Sequence, residues 1–112
     1  MKDEITFEDF TKIDIRTGTI TAVADFPKAR NPAYQLTIDF GGLGVKKSSA
    51  QITDLYTKEQ LLNRQVLAVV NFTPRQIANF MSECLVLGCY NDDHKVVLLE
   101  NTSPTSNGEQ VR

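Results

Sequence analysis

The chain has 112 residues, with 12 Lys+Arg against 14 Asp+Glu and a net charge of −2. At 41% hydrophobic and 23% charged it matches neither disordered nor fibrous proteins, and its length suits one domain, residues 1–112, with a modest core. No run approaches the roughly 18 apolar residues of a membrane-spanning helix, so no membrane insertion is expected, and the MKDEITFEDF start has no apolar signal region.

In chain order, Thr6 followed by Asp9 predicts a short capped helix. Phe7 and Phe10, three apart, give that helix an apolar edge expected to dock on the core. DIRTGTITAV reads as a long strand, and the opposite parity of Ile15 and Ile20 predicts a bulge or bend at Gly18. ADFPKARNPA is a connection. Tyr34, Leu36, Ile38 and Phe40 then alternate with Gln35, Thr37 and Asp39, the pattern of a half-buried strand. The GGLG turn joins it to VKKSSAQI as a hairpin. TDLYTKEQLLNRQ holds one or two short helical turns, with Thr57 as a cap.

VLAVVNF, CLVLGC and VVLLE are the remaining strands, and all three are apolar at both parities. Such strands need cover on both faces, whereas a small barrel covers only the inside. Terminal segments, loops or a second subunit must cover the outside, and a homodimer is the expectation. In the polar tail, Pro104 and the Asn107-Gly108 turn could guide a last short strand. With no helix long enough for a βαβ crossover, the pattern predicts an all-β protein. Its architecture is a five-stranded antiparallel Greek-key OB-fold barrel with short helical turns and terminal extensions.

Cys84 and Cys89 are the only cysteines and are expected as buried free thiols. Their spacing with His94 matches no zinc pattern, so no metal site is assigned. Free thiols and the absence of a signal point to the cytoplasm. No P-loop, GxGxxG or GxSxG motif occurs, and neither Ser48 and Ser49 nor the carboxylates Asp39 and Glu83 have an evident catalytic partner. No catalytic residue, cofactor or enzyme activity is expected.

Charge is unevenly distributed. Residues 25–80 hold seven basic side chains (Lys28, Arg30, Lys46, Lys47, Lys58, Arg64, Arg75) against four acidic ones, while both ends are acidic. Spread over a surface these charges need only be solvated. Gathered with the polar residues of KKSSAQ and NFTPRQ, they would form a groove for a phosphate backbone.

DIRTGTI, KKSSAQIT and VLAVVNFTPRQIANFMSECLVLG, in that order, resemble the tRNA-binding OB-fold domain family, and most nearly its CsaA-type secretion-chaperone branch. The resemblance runs from Phe7 to about Gly108. It implies a homodimer and a tRNA-binding surface at Lys46, Ser48, Ser49, Gln51, Asn71, Pro74, Arg75, Ser82 and Glu83. Lys and Arg would meet phosphates, the amides and hydroxyls would meet bases or sugars, and Glu83 would accept from a base or orient Arg75. Two departures agree with the chaperone branch: Ser48-Ser49-Ala50 where many synthetase-linked relatives have Ser-Gly-Leu, and Cys84-Leu85 where they commonly have Gly-Met. That branch implies binding of unfolded preproteins or peptides for export, and contact with the export machinery. Phe72, Ile77, Phe80 and Met81 are the candidate apolar contacts, with Phe72 and Ile77 also readable as core. The two readings, peptide-binding chaperone and tRNA-binding module, share one surface.

Overall fold

Alternation sets the centre of the molecule. In the computed structural model, which describes all residues from 1 to 112, Leu36, Ile38 and Phe40 are buried while Gln35, Thr37 and Asp39 lie nearer the surface. They belong to β2 (Tyr34–Asp39) and the residue just after it; β2 follows α1 (Phe7–Thr11) and β1 (Ile15–Asp25). A single turn of 3-10 helix at Gly41–Leu43 leads into β3 (Val45–Ala50). Then come α2 (Lys58–Leu61), β4 (Gln65–Val69), β5 (Arg75–Ile77), β6 (Phe80–Ser82), β7 (Leu85–Val86), β8 (Gly88–Tyr90) and β9 (Val96–Leu98). No helix is long and apolar enough to cross a membrane.

β1 is long enough to change partners. Ile15–Thr19 pairs antiparallel with β4, and Thr19–Asp25 pairs antiparallel with β2. A strand shared in this way forces the sheet to curl, and its order is β3-β2-β1-β4-β7. The curl returns edge strand β7 to edge strand β3, giving a nearly closed five-stranded OB-fold barrel. Inside lie Ile20, Leu36, Ile38, Phe40, Val66 and Ala68, joined by Leu61 of α2. Thr57 caps α2 through its hydroxyl, which accepts from the Gln60 N–H at 3.2 Å.

Several expectations are corrected. The register of β1 shifts between Ile20 and Ala22, not at Gly18. Gly18 is needed for packing instead, since a Cβ there would lie 2.7 Å from Ile38 Cγ2 and from the Phe40 ring. Helix α1 forms, with the Thr6 N–H donating to the Asp9 carboxylate at 3.2 Å, but none of its residues is buried, so its apolar edge does not dock on the core. Phe7 is 75% exposed. CLVLGC is not one strand: at Leu87, between β7 and the β8–β9 hairpin, the chain switches partner, with Leu87 N–H donating to the Leu67 carbonyl and its carbonyl accepting from Leu99 N–H. Cys84 is therefore buried while Cys89 is exposed, against the expectation of two buried thiols. TPRQIANFMS, not among the expected strands, forms the β5–β6 hairpin with Ala78 at φ 51° in its turn.

The chain's own tail pairs along the edge of β1 that β2 leaves free. Gly108 N–H donates to the Thr17 carbonyl at 2.7 Å, Thr17 N–H to the Glu109 carbonyl at 3.0 Å and Val111 N–H to the Ile15 carbonyl at 2.8 Å. The expected last strand is reduced to one bridge, Arg16 with Gln110. Leu85, Val97 and Leu99 stay exposed, so part of the doubly apolar strands is uncovered.

Candidate functional site

The barrel's one imperfect joint is the seam between β3 and β7, and side chains make most of it. Glu83 N–H donates to the Lys47 carbonyl at 2.7 Å, and the Glu83 carboxylate accepts from Lys47 N–H at 2.9 Å. Ser82 Oγ accepts from Ser49 N–H at 3.0 Å. Ser48 Oγ donates to the Cys84 carbonyl at 2.8 Å. These contacts satisfy the first half of the β3 edge, as a buried or half-buried edge demands.

Past them the seam opens into a groove of about 920 Å³. Ser49, Gln51 and Ile52 form one wall, Cys84, Leu85 and Val86 the other. Phe72, Thr73, Arg75 and Ile77 flank it from the β4–β5 connection and β5, and Arg30 and Asn31 from the β1–β2 connection. Tyr90 and Val96 of the β8–β9 hairpin also contribute. Phe72 and Tyr90 are large aromatics left 54% and 74% exposed at this site. Isolated exposed aromatics are ordinary, but two beside one groove give it apolar, stackable surface.

Its charge is positive. Lys58 and Arg64 of the basic middle are neutralised by Asp25 at 3.0 Å and Glu100 at 3.6 Å. Lys28, Arg30, Lys46, Lys47 and Arg75 form no ion pair. Two of these, Arg30 and Arg75, line the groove, whose single carboxylate, Glu83, is committed to the Lys47 amide. Cys84 is no nucleophile: burial is the chief cause that pushes its thiol up to about 11, so it stays protonated near neutrality.

Of the residues singled out in the sequence, the structure brings Ser49, Gln51, Phe72, Arg75, Ile77, Ser82 and Glu83 together on the groove. It places the others elsewhere. Ser48 is buried, with its hydroxyl spent on the seam. Asn71 clamps the α1–β1 connection: its Oδ1 accepts from Asp14 N–H at 2.9 Å and its Nδ2 donates to the Lys12 carbonyl at 2.8 Å. Phe80 packs on Phe26 with ring centroids 5.4 Å apart. Met81 and Lys46 do not line the groove, nor does Pro74. The structure adds Arg30, Asn31, Thr73, Val86 and Tyr90. Arg30 and Asn31 had a signal in the sequence, being polar residues beside Pro32 in a connection. Tyr90 had none, because its exposure depends on the strand break at Leu87.

Comparison with known proteins follows the same line. The family model described as "Putative tRNA binding domain" matches residues 15–110. Methionine–tRNA ligase of Pyrococcus furiosus is 35% identical over 108 residues, which are 96% of this chain and 14% of the ligase. The Parabacteroides distasonis ligase is 31% identical over 112 residues, 100% of this chain and 16% of the ligase. The chain thus spans about a seventh of the length of these curated relatives. The crystal structure of chaperone CsaA from Bacillus anthracis superposes with a TM-score of 0.93 at 47% identity, covering 98% of this chain and 100% of that one. CsaA from Picrophilus torridus gives 0.92 at 51% identity, covering 97% and 100%. A MetRS-related protein from Pyrococcus horikoshii, 20% identical with a TM-score of 0.87 and coverage of 99% and 100%, shows the shared fold.

Proposed function

The chain belongs to the tRNA-binding domain family, and from that premise we propose that it is a CsaA-like chaperone that holds unfolded preproteins or peptides in the seam groove for export. The observation carrying this reading is the groove itself, in a chain that matches two CsaA structures over nearly its whole length and theirs. Phe72, Ile77, Leu85, Val86 and Tyr90 present apolar surface around an extended cleft, with Ser49 and Gln51 as polar contacts. Its working form is a cytoplasmic homodimer, supported by the undocked Phe7 edge and by Val97 and Leu99, which are exposed outside the groove.

Capture of an unfolded preprotein, measured as delayed aggregation or by fluorescence anisotropy, tests the reading. Phe72→Ala with Tyr90→Ala should weaken capture at least tenfold, and unchanged capture would rule out the groove. Sedimentation at micromolar concentration tests the dimer, and a stable species of 12.5 kDa would contradict it.

One observation favours a second reading, a tRNA-binding module. Arg30 and Arg75 are free of carboxylates beside Phe72 and Tyr90, the combination of cations and stacking platforms that single-stranded RNA uses. Lys46, Lys47 and Lys28 extend the field. Binding by this route falls steeply with salt, whereas apolar peptide capture does not. Arg30→Ala with Arg75→Ala should lower the log–log salt slope of tRNA binding by about 0.7–0.9 for each phosphate that is no longer neutralised. An unchanged slope would exclude these arginines from tRNA binding.

A further inference from the structure

The seam carries backbone groups as well as side chains, and their pairing is incomplete. In the β2–β3 ladder, hydrogen bonds fall on the even residues of β3, as the neighbouring Phe40 N–H to Gly44 carbonyl bond at 2.9 Å shows, so Lys47, Ser49 and Gln51 point their N–H and C=O groups away from β2. Lys47 spends both groups on Glu83, and Ser49 spends its N–H on Ser82. The Ser49 carbonyl and the Gln51 N–H that follows it have no partner in the chain. Across the seam the same accounting holds. Leu67 and Val69 of β4 face Leu87 and Leu85, with Leu87 N–H donating to the Leu67 carbonyl at 2.9 Å, so Val86 turns its N–H and C=O toward β3, where nothing meets them. Ser49, Gln51 and Val86 all line the groove.

From this we infer that the groove binds its client as an added β-strand: an extended, acidic-apolar polypeptide segment pairs its main chain with the Ser49 carbonyl and the Gln51 N–H, continuing the edge that Glu83 begins to pair. The inference deepens the chaperone reading and rests on it. An unpaired carbonyl followed two residues later by an unpaired N–H is the repeat by which an edge strand receives another strand. Side chains of the segment then alternate between the apolar groove and solvent. Pairing through the main chain is indifferent to sequence, which a chaperone of many clients requires. Charge narrows the choice: with Arg30 and Arg75 unneutralised and Glu83 committed, the groove favours acidic over basic segments.

The test uses the full chain and a synthetic octapeptide of alternating valine and threonine with one glutamate near its centre, read by fluorescence anisotropy. Two further peptides carry N-methyl groups on alternate amides, in opposite phases. Strand addition predicts at least a tenfold weaker Kd in at least one phase and slower hydrogen exchange at the Gln51 amide when the parent peptide binds. Tight binding of both methylated peptides, or binding that leaves Gln51 exchange unchanged, would overturn strand addition while leaving the chaperone reading intact. Equal affinity for a peptide with lysine in place of glutamate would overturn the charge preference. Failure of the parent peptide to bind, with tRNA bound instead, would overturn the chaperone reading and this inference together.

Discussion

The barrel carries two clefts of opposite character. One, of about 580 Å³, lies under the tail and is lined by Thr19, Asn63, Gln65 and residues 100–107, without a hydrophobic side chain. The other is the seam groove of about 920 Å³. By composition the first is the more obvious home for a polar ligand, yet Thr19, Gln65, Asn101, Thr105 and Asn107 already spend side-chain groups on one another. Gln65 Nε2 donates to the Thr105 carbonyl at 2.8 Å, while Gln65 Oε1 accepts from Asn101 Nδ2 at 2.8 Å and Thr105 N–H at 3.1 Å. Asn107 Oδ1 accepts from Thr19 Oγ1 at 2.7 Å and from Gln65 Nε2 at 3.2 Å. The tail cleft is a polar fastening. The seam leaves carbonyls, amides, guanidiniums and aromatics unspent. The seam differs from the tail cleft in combining free main-chain groups with cations and aromatics.

Substitutions should separate the two clefts. The largest effect is expected at Gly108, which holds φ +89° and where a Cβ would lie 2.5 Å from the Phe40 carbonyl oxygen. Gly108→Val should therefore cost about 3 kcal/mol of unfolding free energy by urea titration, by strain and by loss of the tail's seat. A cost under about 0.5 kcal/mol would mean the tail is not a fastening. Gln65→Ala removes the acceptor of the Thr105 N–H, which water can replace, and should cost about 0.5–1.5 kcal/mol while leaving peptide affinity as it was. Phe72→Ala with Tyr90→Ala should do the reverse: little change in stability, and at least a tenfold loss of affinity, about 1.4 kcal/mol. A large stability loss there would place these aromatics in the fold, not at the site.

At neutral pH the smallest effect concerns the thiols. Cys84 is raised from 9.0 to about 11 by burial, so its neutral form is favoured in the folded state. The stability this contributes is intact below the ordinary thiol range and is lost as pH rises from 9.0 toward about 11, where the unfolded thiol ionises first. Unfolding titrations across that window should show the decline, and Cys84→Ala should flatten it. A thiol reagent at neutral pH should modify Cys89 alone in the folded chain, because only Cys89 is exposed.

Much of this architecture is written locally. Alternation from Tyr34 to Phe40, the Gly41–Gly44 turn and the Thr57 cap are short-range instructions, since side-chain period, turn conformation and capping act over a few residues. They predict the strands and helical turns where these form. Of the residues in the family motifs, Ser49, Gln51, Phe72, Arg75, Ser82 and Glu83 line one groove. What each residue spends its atoms on depends on partners far away in sequence. Ser48 and Asn71 look identical in type to ligand-binding residues, but Cys84, 36 positions on, and Asp14, 57 positions back, claim them. Phe80 is taken by Phe26, and Tyr90 is released by a strand break that no local pattern announces.

By itself, then, the sequence determined the barrel, most of its strands with their buried faces, and the stretches that compose its surface, because those follow from local periodicity. Only the tertiary structure decided which polar groups remain free. The curl of the sheet returns β7 to β3, side chains close half of that joint, and the other half is left open as the groove.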